Sequence, residues 1–509
     1  MNAADYLLEC VTPEKTALIT ETSSHTYREV IRAADGTVRA LRDLGVQPGE
    51  RVGLSAENSL FWVASYLGIL RAGAVAVPFY PTLEAEQFAA LVELTEPRAF
   101  CVQERYLRQF ADRYPPEVSL VLPSAEAARR HGRRGRVVAP EPADPVPSTP
   151  VDECKDLAAL MFTSGSTGTP RAVMVSHRNI TANTDAIIAS LALGGDDRIM
   201  VVLPFHYCFG TSLLHTHLRA NASLVLNNRF AFPQVVLDHM EATACTELAG
   251  VPSTYQILLR NSTFPERRFP RLRKLQQAGG KLPDRFIAEL RAAHPDADYY
   301  LMYGQTEATA RLSCLPPRDL EARPGSIGRG IPGVTLQVLD EDGCPVPPGV
   351  TGEIVARGDN VTLGYWRDPE ATRQTHRGGA LWTGDLAKLD EDGYIHVVDR
   401  AKDFLKPFGH RVSSKQIEDH VVEIADVVEA AVVGVPDDLM GEAARAFVVL
   451  RRQASVSAED ILAHCRHRLP PYAVPREVVV LPALPRSAGG KVDKASLKRA
   501  QPIAALHPA

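Results

Sequence analysis

The stretch Met161–His177, MFTSGSTGTPRAVMVSH, decides how the rest of the chain is read. An apolar run, LAALMF, leads into its polar centre, and a second, AVMV, leads out. Between them Thr163, Ser164, Ser166, Thr167 and Thr169 alternate with Gly165 and Gly168, and Pro170 and Arg171 close the segment. The expected local structure is strand, tight polar loop, strand. Glycine permits backbone shapes that other residues resist. With no side chain in the way, its N–H can face an anion, and neighbouring hydroxyls add donors. On these residues alone the loop is either a cradle for a polyphosphate or a Ser/Thr/Gly-rich surface turn. It is not the common G-x-x-x-x-G-K-[ST] loop that opens a helix, because no Lys-Ser or Lys-Thr follows Gly168.

On either side of this stretch, helical periodicity takes turns with short apolar runs. Tyr27–Leu44 reads as an amphipathic helix ending at Gly45, Arg51–Ser55 as a strand, Ser59–Ala72 as a helix and Ala74–Pro78 as a strand. After the loop come a helix near Asn179–Ala192, a strand Ile199–Leu203, a helix Thr211–Ala220 and a strand Ser223–Leu226. This alternation predicts an α/β architecture with parallel pairing. From about Gly325 the strands shorten and turns multiply (Leu336–Asp340, Gly352–Arg357, Leu381–Lys388, Tyr394–Asp399), which predicts a β-rich subdomain. After Asp399 a small α+β unit is expected. Ser413 and Gln416 form a capping-box start for a helix to about Ile424. Strands Val427–Val435 and Arg445–Leu450, a helix Ala458–Leu469 and a strand Glu477–Leu481 follow.

At 509 residues the chain exceeds one ordinary core, so two or three domains are expected. Its 45% apolar and 23% charged composition is globular. A net charge of −5 gives no general case for nucleic acid. The basic cluster Arg129–Arg136, RRHGRRGR, reads as a solvated loop. Eight scattered cysteines form no C-x-x-C pair and no metal-ligand spacing, as expected of reduced thiols. The start, MNAADYLLEC, lacks the form of a signal peptide. The longest apolar stretch, Leu60–Leu70, is too short to span a bilayer. A cytoplasmic protein is expected, monomer or homodimer.

TSGSTGTPR closely resembles the phosphate-loop signature of the adenylate-forming superfamily: acyl-CoA synthetases, aryl-CoA ligases, luciferases and peptide-synthetase adenylation domains. The usual signature ends T-G-x-P-K-G. Here Pro170-Arg171-Ala172 keeps the positive charge but not the shape of lysine. Further segments resemble that superfamily in order. They are Pro204–Gly210 (PFHYCFG), Ala278-Gly279-Gly280, Tyr303-Gly304-Gln305-Thr306-Glu307, and Gly352-Glu353 with Arg357-Gly358 and Gly364-Tyr365-Trp366. Trp382-Thr383-Gly384-Asp385, Arg400 through Gly409-His410-Arg411, and Gly489-Gly490-Lys491 complete the set.

The resemblance implies a large N-terminal domain, residues 1–400, of two α/β subdomains plus a small β-rich one. A small mobile α+β C-terminal domain, residues 401–509, follows it. It implies ATP-dependent activation of a carboxylic acid to acyl-AMP with release of pyrophosphate, then transfer to a thiol. The phosphoryl transition state spreads negative charge, so cations and preorganised donors are needed. By residue, the resemblance gives Thr163–Gly168 and Arg171 to the phosphates, and Gly279 and Gly280 to the turn under the adenine. It gives Tyr303, with Gly304 beside it, to the adenine face, and Asp385 and Arg400 to the ribose. Thr306 falls to the α-phosphate, Glu307 to Mg²⁺, and Lys491 to a bridge between carboxylate and α-phosphate. Lys402 falls at the hinge, Gly409 where a pantetheine arm passes, and Lys406 where a second lysine serves the thiol step. Lys281 either meets a phosphate or a second substrate carboxylate, or points to solvent.

Relatives that take α-amino acids carry an Asp in the region that here reads Phe205-His206-Tyr207, with no acid nearby. An unpaired buried ammonium is costly, so an acid without an α-amino group is expected. Candidate pocket walls are His206, Tyr207, Phe209, Gly210, Ser212, Gly279, Gln305 and Leu312, which suggest a largely apolar acid. The acceptor is CoA, with the phosphopantetheine of a carrier protein as the alternative. A non-catalytic relative would be marked by loss of Lys491 or Glu307, and both are present.

Overall fold

The computed structural model describes residues 1–499 except 82, 132–135, 164–169, 401–403, 406, 411, 438–439, 452 and 487–491. Val75–Pro78 and Ser223–Leu226 are buried along their whole length, the pattern of strands covered on both faces by helices. They belong to two separate sheets. One is seven-stranded, in the order Val137–Val138, Ser119–Val121, Ala99–Val102, Arg51–Ser55, Val75–Pro78, Leu157–Thr163, Arg171–Ser176. All neighbours in it run parallel except the last pair, an antiparallel hairpin with Thr163 opposite Arg171. The two expected strands are therefore present and paired; residues 164–169, the polar segment between them, lie outside the described residues.

The second sheet is nine-stranded. Its parallel centre runs Asp298–Tyr303, Lys274–Gln277, Glu247–Gly250, Arg198–Val201, Ser223–Leu226, Thr16–Ile19. Antiparallel strands flank it at both ends. Helices lie between the two sheets. One apolar cluster runs from Val52 and Ala76 of the first, through Leu67, Ile180 and Leu214 of the helices, to Val201 and Leu224 of the second.

The helix Tyr27–Asp43 starts on a capping box between Thr26 and Glu29. The helix His177–Leu191 begins earlier than the sequence predicts, because Ser176 and Asn179 form a capping box ahead of it. The β-rich region is an antiparallel five-stranded sheet of Thr335–Leu339, Gly352–Arg357, Ala380–Leu389, His376–Arg377 and Ile395–Arg400. The C-terminal unit has a three-stranded sheet, Val427–Asp437, Gly441–Leu450 and Glu477–Val480. Its first helix, Ser414–Val421, stops short of Ile424, with Ser413 accepting from the Gln416 N–H. The mixed α/β arrangement, a large N-terminal part with a small C-terminal one, matches the expected fold class.

Part of the basic cluster is not loop. Arg129, Arg130 and His131 end the helix Ala125–His131. Arg130 pairs with Glu104 and Glu126 there; basic residues at a helix C-terminus also suit its dipole. The eight cysteines are free thiols. Among the described residues no helix is long and apolar enough to cross a membrane. The apolar stretch beginning at Leu60 is the buried helix Leu60–Arg71.

Candidate active site

In open parallel sheets, ligands bind beyond the carboxyl ends of the strands. In the nine-stranded sheet those ends carry the marked segments: Pro204–His206 follows Arg198–Val201, Gly279-Gly280 follows Lys274–Gln277, and Gly304–Glu307 follows Asp298–Tyr303. At the opposite ends lies a buried charge network, Lys274 Nζ bonding Asp197 (2.8 Å) and Glu247 (3.0 Å). That network ties strand starts together and is far along the sheet from the marked segments.

The turn after Tyr303 is unusually tight. Leu312 N–H donates to the Tyr303 carbonyl at 2.9 Å, closing a hairpin around a single 3-10 turn, Thr306–Ala308. Thr309 has φ 65° and ψ −59°, and Ala310 N–H reaches back to the Ala308 carbonyl at 2.7 Å. This is a γ-turn of the strained hand, unexpected for a β-branched residue. It is held by the Thr309 hydroxyl on the Asn360 carbonyl, 2.7 Å. Gly304 is required by the same reversal: a Cβ there would stand 1.9 Å from the Ala310 carbonyl oxygen.

The hairpin presents Thr306 and Glu307. The Thr306 hydroxyl donates to Cys208 Sγ at 3.3 Å. The Glu307 carboxylate accepts from the Tyr365 hydroxyl at 2.8 Å. The Arg171 guanidinium, beyond the hairpin tip of the seven-stranded sheet, lies 5.2 Å over the Tyr365 ring and pairs with Asp368 at 3.2 Å. Tyr365 thus joins the exit of the polar loop to Glu307. Sequence reading noted the Gly364-Tyr365-Trp366 block without giving Tyr365 a task; a tyrosine hydroxyl in a marked block was the available signal.

Tyr303 donates to Asp385 at 2.5 Å. Asp385 is buried and sits opposite Arg400 in the strand register. Gly384 N–H donates to Glu353 at 2.8 Å, joining two of the marked segments. Gly279 has φ 88°, a conformation that favours glycine, and the Gly280 carbonyl accepts from Gln277.

Among the predicted pocket walls, His206, Phe209, Gly210, Ser212 and Leu312 are all buried. His206 packs against the Tyr80 ring, and Tyr207 immediately precedes the helix Cys208–Arg219. Gly210 lies against the Pro204 carbonyl, which a Cβ would meet at 2.1 Å. Ser212 donates to the Phe209 carbonyl. Gln305 precedes the 3-10 turn, and its Nε2 has no hydrogen-bond partner among the described residues. Gly409 lies in the short turn Pro407–Gly409. Ser164, Gly165, Ser166, Thr167, Gly168, Lys402, Lys406, Lys491 and the Arg400 side chain lie outside the described residues.

The AMP-binding enzyme family model matches residues 10–366, and the model of the AMP-binding enzyme C-terminal domain matches residues 416–491. The chain belongs to the AMP-binding enzyme family. It is 32% identical over 499 residues to a long-chain-fatty-acid–CoA ligase of Salmonella typhimurium, covering 89% of this chain and 86% of the relative. It is likewise 32% identical over 504 residues to a feruloyl-CoA synthase of Amycolatopsis sp, covering 96% of each. ATP-bound MatB from Rhodopseudomonas palustris superimposes with a TM-score of 0.84 at 28% identity, covering 98% of each chain.

In this AMP-binding enzyme the Lys281 side chain is exposed. Its Nζ pairs with Asp419 of the C-terminal unit at 3.0 Å. Arg486 makes a second polar contact between the same two parts, to the Ser253 hydroxyl at 2.8 Å. Both partners lie far off in sequence, so nothing local announces them.

Proposed function

We propose that this AMP-binding enzyme is an AMP-forming acid–thiol ligase that joins a carboxylic acid lacking an α-amino group to CoA. The observation that carries the proposal is the convergence of Thr306, Glu307, Tyr303 and Asp385 at the carboxyl ends of one parallel sheet, beside the exit of the polar loop. Relatives named as CoA ligases over most of the chain support it.

In the first step a carboxylate oxygen attacks the α-phosphorus of ATP. The bond from that phosphorus to the bridging oxygen breaks, and its electron pair leaves with pyrophosphate. Asp385, steadied by Tyr303, receives the ribose hydroxyls, and Arg400 reaches the same sugar. Tyr303 lends its face to the adenine over the Gly279-Gly280 turn. Thr306 donates to the α-phosphate, and Lys491 bridges it to the attacking carboxylate. In the second step the thiol sulfur attacks the acyl carbon, AMP leaves, and the thiol proton is released. The C-terminal domain, residues 401–509, turns about Lys402 between the steps, so that the arm of CoA passes Gly409 near Lys406.

Mg²⁺ fits one residue here. Among the described residues no cluster of three or more His, Cys, Asp or Glu could hold a metal by itself. A single carboxylate beside substrate phosphates is nonetheless a donor set that Mg²⁺ accepts. Glu307, oriented by Tyr365, supplies it. When bound, the ion neutralises charge developing on the phosphates.

Mass spectrometry of reactions with ATP, Mg²⁺ and a panel of acids, with and without CoA, tests the reading. Acyl-CoA appearing with AMP supports it. Acyl-adenylate that accumulates and ignores CoA would move the acceptor to a carrier protein. Absence of AMP with every acid would refute it. Lys491→Ala is expected to lose adenylate formation and keep ATP binding.

A further inference from the structure

Two polar contacts tie the C-terminal unit to the large N-terminal part, and both land on one rim. Arg486 Nη1 donates to the Ser253 hydroxyl at 2.8 Å, and Lys281 Nζ pairs with Asp419 at 3.0 Å. Ser253 is in the first turn of the helix Pro252–Asn261, which follows the strand Glu247–Gly250. Lys281 follows the Gly279-Gly280 turn, beyond the strand Lys274–Gln277. These two strands are parallel neighbours. The turns after them adjoin, since a Cβ on Gly280 would meet the Pro252 ring at 3.4 Å. Both contacts therefore fall at the carboxyl ends of the sheet, where ligands of such folds bind.

On the C-terminal side each contact is backed by its own unit. Arg486 Nη2 donates to Glu429 at 2.5 Å, and Glu429 is buried in the strand Val427–Asp437. Asp419 is on the helix Ser414–Val421, where Lys415 also pairs with it at 3.3 Å. The two parts share apolar packing as well: Leu282 and Phe286 belong to one cluster with Ile417 and Val421. Arg486 has a further connection. It pairs with Val492 across the segment that carries Lys491, a segment outside the described residues. The Ser253 contact thus moors both flanks of that segment at the rim.

We propose that Arg486–Ser253 and Lys281–Asp419 form a latch that holds the enzyme in its adenylating orientation, and that both contacts break before the thiol step. The proposal rests on the ligase reading above, in which the C-terminal domain turns between steps; it adds the residues that set the balance. All four are positioning residues, acting through where the C-terminal unit sits. Contacts made in one orientation and lost in the other shift the population toward the first. The latch therefore speeds acyl-adenylate formation and slows thioester formation.

The test measures the half-reactions separately, using the acid that releases most AMP with the wild type. ATP–pyrophosphate exchange reports the first step, and thioester formation from preformed acyl-adenylate and CoA reports the second. Ser253→Ala combined with Lys281→Glu removes one contact and makes the other repulsive. Two partly exposed polar contacts together shift such a balance by roughly tenfold. Exchange is expected to fall by that factor in kcat with KM for ATP little changed, while thioester formation holds or rises. Adding Asp419→Lys restores the pair with its charges exchanged and is expected to recover part of the loss. Equal loss in both half-reactions, unaltered exchange, or no recovery overturns the proposal. Amide hydrogen exchange with ATP alone supplies a readout that needs no acid. Faster exchange over Ser414–Val421 and Pro252–Asn261 in the Ser253→Ala, Lys281→Glu protein supports the latch, and exchange identical to wild type overturns it. Thermal unfolding verifies folding; if the charge-reversed protein does not fold, Ser253→Ala with Lys281→Ala decides on the same readouts. Absence of pyrophosphate exchange by the wild type with every acid overturns the ligase reading, and the inference with it. Wild-type exchange without a selective loss in the variants overturns the latch alone.

Discussion

Gly304→Ala is the most direct test of how the hairpin works. An alanine Cβ would stand 1.9 Å from the Ala310 carbonyl oxygen, and 2.8 Å from both the Ala310 carbonyl carbon and the Arg311 Cα. All three are backbone atoms, so no rotamer change relieves the contact. Bringing the nearest distance to about 3.0 Å moves one arm of the hairpin by roughly 1 Å. That shift loosens the Leu312–Tyr303 bond and relaxes the strained turn at Thr309. Thr306 and Glu307 lie between these two points and move with them. A misplacement of about 1 Å costs about 100-fold in rate, or about 2.7 kcal/mol. The assay is ATP–pyrophosphate exchange at saturating ATP and acid, with thermal unfolding as the control for folding. Gly194→Ala serves as comparison, because a Cβ there meets nothing within 4 Å; it is expected to leave exchange unchanged. A folded Gly304→Ala protein with exchange within about threefold of the wild type would refute the idea that this close approach sets the positions of Thr306 and Glu307.

Tyr365→Phe keeps the ring under Arg171 and removes the hydroxyl bonded to Glu307; lost orientation of a metal-binding carboxylate typically costs 10–100-fold. A roughly tenfold fall in Mg²⁺-supported adenylation is expected, and an unaltered Mg²⁺ titration would show that Tyr365 positions nothing. Lys281→Ala removes a half-exposed ion pair, which is worth about 0–1 kcal/mol. Stability and ATP binding should change little; a tenfold weaker ATP affinity would return Lys281 to the phosphates. Stability is expected to fall as pH drops from about 6.5 to 4. Burial lowers the pKa of His177 to about 4 and of His215 to about 3, whereas both return to about 6.5 on unfolding. The unfolded chain therefore takes up more protons in that window, at about 1.4 kcal/mol per pH unit for each histidine. Urea unfolding across this range should show a shallower slope in His177→Gln, and a slope indifferent to that change would refute the assignment.

What sequence could show was local or periodic. The run around the polar loop specified a hairpin because apolar strands bracketed a segment unable to continue either. The helix Tyr27–Asp43 was visible through its period and its Thr26–Glu29 cap. Motif order placed Tyr303, Glu307 and Asp385 in one neighbourhood, and the structure brings Tyr303 and Asp385 into contact. What sequence did not show depends on segments distant along the chain. The hydroxyl of Tyr365 meets Glu307, Lys281 meets Asp419, and Thr309 is held by Asn360. No propensity encodes such pairs. The helix His177–Leu191 starts earlier than expected because its Ser176–Asn179 cap lies outside the apolar periodic stretch.

The hairpin also couples residues at its two arms. Its first arm, Tyr303 to Glu307, faces Asp385 and Tyr365. Its second arm, Ala310 to Leu312, carries the buried guanidinium. The arms are not independent, because Gly304 touches Ala310 and because Asn360 holds both Thr309 and Arg311. A desolvated cation would tend to pull such a segment toward solvent. The two asparagine bonds to the Arg311 carbonyl, the Asn183 contact to its N–H and the Phe209 face all oppose that. Strain at Thr309 and the buried guanidinium of Arg311 thus sit two residues apart, both retained by the same clamp. Backbone strain persists where surrounding structure over-determines it, and it clusters where ligands are gripped. A change at either position is therefore expected to shift the turn that holds Thr306 and Glu307.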